Sequence, residues 1–179
     1  MKTAVKNNLS DKYSKGTIII HWVSFMLIIL LIPTGFIMGN MEAGIAKLNL
    51  LRVHMFVGIL VFALTLVRVW FFFRHKRPSR LETGNSLHNK LVIWIENSFY
   101  YILILLCITG IATIAMGNLG EALQRADASL LPRNLDIPPL NAHKALSILL
   151  IALLIGHIGG VVNHYLKNKK ENTLKRILP

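Results

Sequence analysis

The chain has 179 residues, 54% hydrophobic and 16% charged, with a formal net charge of +12 from 20 Lys and Arg against 8 Asp and Glu. That apolar load, a mean hydropathy of +0.54, excludes a disordered chain, and a single cysteine, Cys107, excludes a disulfide scaffold. A basic soluble chain would point to nucleic acid, but a basic chain this apolar points to a membrane, so the position of the charges decides.

In chain order, residues 17–39 form the first apolar run, free of Asp, Glu, Lys and Arg. It is longer than a signal-peptide core, and no small-residue cleavage site follows it directly, so it reads as a span. Residues 40–52 lead to the second run, 53–73, whose one charge is Arg68. Residues 74–90 lead to the third, 91–116, whose one charge is Glu96. The connection 117–144 contains Pro132, Pro138 and Pro139 and is expected to hold a short surface helix around Glu121–Ser129. Asn141 is expected to cap the fourth run, 145–166, which is uncharged. About 20 apolar residues cross a bilayer core as a helix, and each run suffices. The fold expected is all-α and single-domain: a four-helix transmembrane bundle, antiparallel up-and-down.

The cations divide by side. Lys2, Lys6, Lys12, Lys15, Arg74, Lys76, Arg77, Arg80, Lys90, Lys167, Lys169, Lys170, Lys175 and Arg176 fall on one side, and Lys47, Arg52, Arg125, Arg133 and Lys144 on the other. The excess of positive charge marks the cytoplasmic side, so both termini and the connection 74–90 are expected there. Most of the net charge is then a topology signal, and the expected partner is the membrane with no nucleic acid.

Ionisable side chains in lipid are costly and need partners, which makes each intramembrane histidine a functional candidate. Of the seven histidines, His21 and His157 lie inside runs near the cytoplasmic side, while His54 and His143 open the second and fourth helices on the outer side. Depth therefore pairs His21 with His157 and His54 with His143. On the fourth helix, 14 residues turn the chain through nearly four turns, so His143 and His157 share a face about 21 Å apart. Two ligands on one face, each answered at its own depth from another helix, describe two stacked cofactors. A zinc site wants four ligands and each pair supplies two. Two axial imidazoles suit the planar macrocycle of a b-type haem, and the absence of C-x-x-C-H excludes covalent attachment. An iron with both axial positions filled favours electron transfer over oxygen binding.

Gly35, 14 residues after His21, is placed to clear room for the second macrocycle. Gly58, Gly110, Gly156, Gly159 and Gly160 read equally as haem clearance and as close helix packing. Arg68, 14 residues after His54, reads as a propionate partner at the inner depth or as a snorkelling cation.

Several segments carry a family resemblance: IIHW at Ile19–Trp22, LRVHMFVGIL at Leu51–Leu60, VRVWFFFR at Val67–Arg74, SLHNKLVIW at Ser86–Trp94, NAHKAL at Asn141–Leu146, and the run from Gly156 that ends in NTLKRILP. Over nearly its whole length the chain resembles the bacterial di-haem cytochrome b561 family of inner-membrane proteins. The resemblance implies four helices, two haem b groups on His21, His54, His143 and His157, and electron exchange with the quinone pool. One member type oxidises superoxide at the outer face and reduces ubiquinone, as a superoxide:ubiquinone oxidoreductase. Other members are cytochrome subunits that anchor a dehydrogenase. Loops 40–52 and 117–140 depart from the superoxide-oxidising type, which leaves the periplasmic donor open. A non-redox four-helix membrane protein is the reading from a different class.

His164, seven residues past His157, is a candidate hydrogen-bond partner for a quinone or an inner propionate; the plainer reading is a histidine facing interfacial water beside Tyr165. His88 reads as interfacial, with inner ligation the rival, and His75 as solvated. Glu96 reads as one half of an ion pair, with Lys15 for example, or as a proton relay to a reduced quinone. Cys107 reads as a packing thiol, and Trp22, Trp70 and Trp94 as an interfacial belt. Arg52, Arg133 and Lys144 read as attractants for an anionic donor or as outer propionate partners.

Overall fold

A computed structural model describes residues 12–74, 86–167 and 173–178. Four long helices dominate it: α1 (Lys15–Gly39), α2 (Ile45–Arg74), α3 (Ser86–Met116) and, after the short α4 (Leu119–Arg125), α5 (Pro138–Lys167). All four long helices are apolar enough and long enough to cross a membrane. His75, Lys76, Arg77 and Arg80, and the cations of both chain ends other than Lys12, Lys15, Lys167, Lys175 and Arg176, lie outside the described residues. The side chain of His88 lies outside them too.

Local chemistry sets the helix ends. Ser14 Oγ accepts the Thr17 N–H at 3.2 Å and starts α1, whose end closes where the Asn40 N–H bonds the Ile37 carbonyl at 3.0 Å. Nothing between Ile45 and Arg74 breaks a helix, so α2 runs 30 residues, about 45 Å, well past the hydrocarbon thickness. This corrects the boundaries expected from sequence. An apolar run marks what matches lipid, while the helix continues through Lys47, Asn49 and Arg52 because water tolerates them. His54 therefore stands about two and a half turns into α2 and does not open it. Likewise α3 begins at Ser86, and α5 begins at Pro138, whose missing N–H costs nothing at a helix start. Asn141 accordingly does not cap α5: it lies inside the first turns, with its side-chain amide donating to Asp136 Oδ1 at 2.7 Å.

The long helices alternate in direction. Along α1 and α2, Gly16 abuts Phe71 and Gly35 abuts His54. Along α2 and α3, the Cys107 thiol lies 3.7 Å from the Gly58 carbonyl and the Arg68 guanidinium 5.6 Å from the Tyr100 ring centre. Along α3 and α5, Gly110 abuts His143 and the Phe99 ring lies 5.5 Å from that of His157. Helices α1 with α2 and α3 with α5 thus make two antiparallel hairpins, which meet chiefly through α2 and α3. Ile28, Val61, Ile102, Leu103, Leu106 and Leu150 fill the middle. Facing outward, Phe56 and Trp94 remain 69% and 74% exposed, which suits lipid and not water.

One end of the bundle carries the connections 40–44 and 117–137 and is capped by them. Leu48, 0% exposed at the start of α2, packs with Leu119, Ala122 and Leu131. The expected surface helix is there but in two pieces, α4 and a 3-10 turn at Ala128–Leu130. They are separated at Ala126, which adopts the left-handed conformation, φ 57°. The Asp127 carboxylate receives the Ser129 N–H and O–H at 2.9 and 2.7 Å, which holds its pKa below the usual range. At the entry to this cap, Gly117 closes α3 with its N–H on the Thr113 carbonyl at 2.9 Å. A Cβ there would come 2.6 Å from that same oxygen, so only glycine fits. At the other end, a 3-10 turn at Thr173–Arg176 folds back onto α5, and the Trp22 indole N–H donates to the Ile177 carbonyl at 2.8 Å. Trp22 thus spends its polar edge inside the chain, unlike the exposed rings of Trp70 and Trp94.

Candidate functional site

The capped end brings His54 and His143 together. Their imidazole centres are 6.2 Å apart, from α2 on one hairpin to α5 on the other. Each ring is held from behind by the first helix of its own hairpin. Thr34 Oγ1 lies 3.0 Å from His54 Nδ1, and Thr109 Oγ1 lies 3.2 Å from His143 Nδ1. His143 Nδ1 also lies 2.9 Å from the Leu106 carbonyl, which can only accept. That proton therefore sits on Nδ1, and Nε2 of His143 carries a lone pair.

Glycines make these approaches possible. A Cβ on Gly35 would stand 3.4 Å from His54 Cε1, and one on Gly110 would stand 3.3 Å from His143 Cε1. Gly35 thus borders the outer imidazole itself. Pro33, just before this pair, deprives the Ile29 carbonyl of its helical donor, and Thr34 returns a side-chain bond to the same turn at Leu31 O, 2.8 Å away. A Cβ on Gly58, Gly156, Gly159 or Gly160 would meet no neighbouring side chain or other helix within 4 Å, although the Gly58 carbonyl itself lies 3.7 Å from the Cys107 thiol of α3.

The other end gathers a second set from all four long helices. His21 of α1 lies within electrostatic reach of Arg68 of α2 and His157 of α5, and His157 within reach of Arg68 and of Glu96 of α3. The Trp22 ring meets the His21 ring edge-on at 5.6 Å, and Phe99 does the same for His157. Arg68 is half-buried, with its guanidinium 5.6 Å from the Tyr100 ring centre. His164 is half-buried with Nδ1 shielded from solvent, so it does not simply face water.

Among the outer cations, Arg52 donates to the Leu123 carbonyl at 2.8 Å and ties α2 to the end of α4. Its guanidinium therefore has a structural task that the sequence did not reveal. Thr34, Thr109 and the specific place of Gly110 were also missed. Their signal was present: the dipeptide Thr-Gly occurs in two of the four apolar runs, at 34–35 and 109–110.

The spacing of His54 and His143 fits a haem iron. Two imidazole nitrogens at about 2 Å from one metal place their ring centres roughly 6 Å apart, as those of His54 and His143 are. Among the described residues no group of three or more His, Cys, Asp or Glu side chains could hold a metal ion. Four apolar helices carrying imidazoles paired across the bundle define a membrane-embedded cytochrome b, an electron-transfer protein that binds haem b. A family model described as prokaryotic cytochrome b561 matches residues 12–179, and the chain belongs to that family, a multi-pass bacterial membrane protein. Comparison with curated proteins and with solved structures gives no match.

Proposed function

We propose that this chain carries electrons from a donor at the outer, periplasmic face to ubiquinone in the membrane through two b haems. His54 and His143 hold the outer haem, and His21 and His157 the inner. The observation that carries the reading is the 6.2 Å approach of the His54 and His143 rings from opposite hairpins, with the Nδ1 of each engaged and Nε2 left for a metal. A bound b haem supplies an iron that takes up and releases one electron at a time.

The residues have separable tasks. Arg68 supplies a cation at the inner depth, where propionates need one. Gly35 keeps the outer site open beside His54. His164, with Nδ1 turned inward, is the candidate hydrogen-bond partner for a quinone near the termini. Glu96, within reach of His157, is placed to hand on protons, two of which a fully reduced quinone requires. The cap formed by α4 and the 117–137 connection covers the outer end, where Arg133 and Lys144 add positive charge suited to an anionic donor such as superoxide. Both termini lie in the cytoplasm, by the distribution of Lys and Arg.

A donor screen tests this reading. The purified full-length chain, in vesicles containing ubiquinone, is offered superoxide and other donors from outside. Reduction of the visible haem bands followed by quinone reduction is the expected result. A chain that stays colourless after expression with adequate haem would overturn it.

A further inference from the structure

The two outer histidines are supported in the same way by two helices unrelated in local sequence except for one dipeptide. Thr34-Gly35 on α1 faces His54, and Thr109-Gly110 on α3 faces His143. In each case the glycine admits the ring edge and the threonine reaches Nδ1. The threonine hydroxyls have one proton apiece. Thr34 Oγ1 lies 2.8 Å from the Leu31 carbonyl and Thr109 Oγ1 lies 2.8 Å from the Leu105 carbonyl, acceptors that claim those protons. Each hydroxyl is then left with lone pairs toward the imidazole, so the histidine donates.

We infer that Thr34 and Thr109 are positioning residues of the outer site, each accepting the Nδ1 proton of its histidine and so fixing Nε2 as the metal-binding nitrogen. This rests on the assignment of His54 and His143 to a haem. The two supports are unequal. His143 Nδ1 has a second acceptor in the Leu106 carbonyl at 2.9 Å, whereas among the described residues Thr34 is the one acceptor at His54 Nδ1. Accepting the distal proton of an imidazole raises the basicity of its other nitrogen and orients the ring. In the low-dielectric interior of a membrane protein an unaccepted Nδ1–H is costly. Thr34 therefore carries more of the outer site than Thr109.

The test compares Thr34→Val, Thr34→Ser and Thr109→Val with His54→Ala in the full-length haem-loaded chain. The readouts are haem per chain, transfer of haem to apomyoglobin, and redox titration of each haem, with the inner haem as an internal control of folding. Thr34→Val is expected to release the outer haem about tenfold faster or more, and to raise its potential because the ligand becomes less basic. Thr34→Ser keeps the acceptor and should match the parent; Thr109→Val should change little because Leu106 still accepts. Should Thr34→Val lose both haems, Thr34→Ala, the same deletion with less bulk, decides in its place. An unchanged outer haem in the deletion variant, or equal damage from Thr109→Val, overturns the inference while His54→Ala still lacks the outer haem. If His54→Ala keeps both haems, the ligand assignment itself fails and the inference goes with it.

Discussion

His54 and His143 meet ring to ring at 6.2 Å although they stand on different hairpins, whose principal contact is between α2 and α3. The pair therefore bridges the bundle where helix backbones do not pack closely. On the proposed two-haem reading, the two sites are separable. His143→Ala should yield a folded chain with one haem in place of two, retaining the inner site. His157→Ala should do the converse. Haem per chain from the pyridine haemochrome spectrum, with helix content from circular dichroism, checks both; full haem loading in His143→Ala would exclude that ligand.

Gly35 and Gly110 border the two rings, with a Cβ at either position 3.4 and 3.3 Å from the imidazole. Gly110→Val would place a Cβ 3.3 Å from His143 Cε1, tighter than ordinary contact, and add two methyls beside it. Overpacking of this kind costs about 1–3 kcal/mol, and the ring is the group that can yield. The expected result is weakened outer-haem binding, read as a lower outer-haem occupancy, with the inner haem's absorbance kept. Gly156→Ala, by contrast, meets no atom within 4 Å of its new Cβ and should leave packing between the helices intact.

How much of this was legible beforehand follows from what each feature depends on. Four apolar runs betray four helices because lipid punishes charge along the whole run. The pairing of His54 with His143 could be read from depth alone, since helix rise converts residue count to height. The helix ends could not, because α2 and α5 extend into polar surroundings where apolarity no longer marks them; hence the true positions of His54 and Asn141. The threonine supports were hidden for a different reason. Thr34 and Thr109 lie 20 and 34 residues from the rings they hold, and such contacts depend on how hairpins pair, which no local pattern encodes. The partner of Arg52 was hidden similarly: the Leu123 carbonyl is 71 residues away and belongs to the backbone.

That last contact makes Arg52 separable from its charge. Arg52→Ala should loosen α4 from α2 through loss of a charge-assisted bond, destabilising the cap by about 1–2 kcal/mol. Thermal unfolding of the detergent-solubilised chain and limited proteolysis within 117–137 report it. Arg133→Ala has no such tie among the described hydrogen bonds and should change donor rates at low salt more than stability. Equal proteolytic susceptibility of Arg52→Ala and the parent would show that the bond contributes nothing to the cap.

At the opposite end an indole helps to fasten the C-terminal turn. Trp22 Nε1 donates to the Ile177 carbonyl at 2.8 Å, the Tyr13 N–H donates to the Arg176 carbonyl at 3.2 Å, and Arg176 is only 6% exposed. Trypsin cannot reach Arg176 while that fastening holds. Trp22→Phe keeps the ring and removes the donor, at a cost of about 1 kcal/mol to the attachment of residues 173–178. A shift of that size opens the turn roughly fivefold more often. Cleavage after Arg176 should quicken by a similar factor, measured by mass spectrometry of the intact chain over time. Because Trp22 adjoins His21, the inner haem's spectrum in the same variant reports whether the turn also steadies that ring. A cleavage rate equal to the parent's would mean that the indole bond contributes nothing to holding the segment.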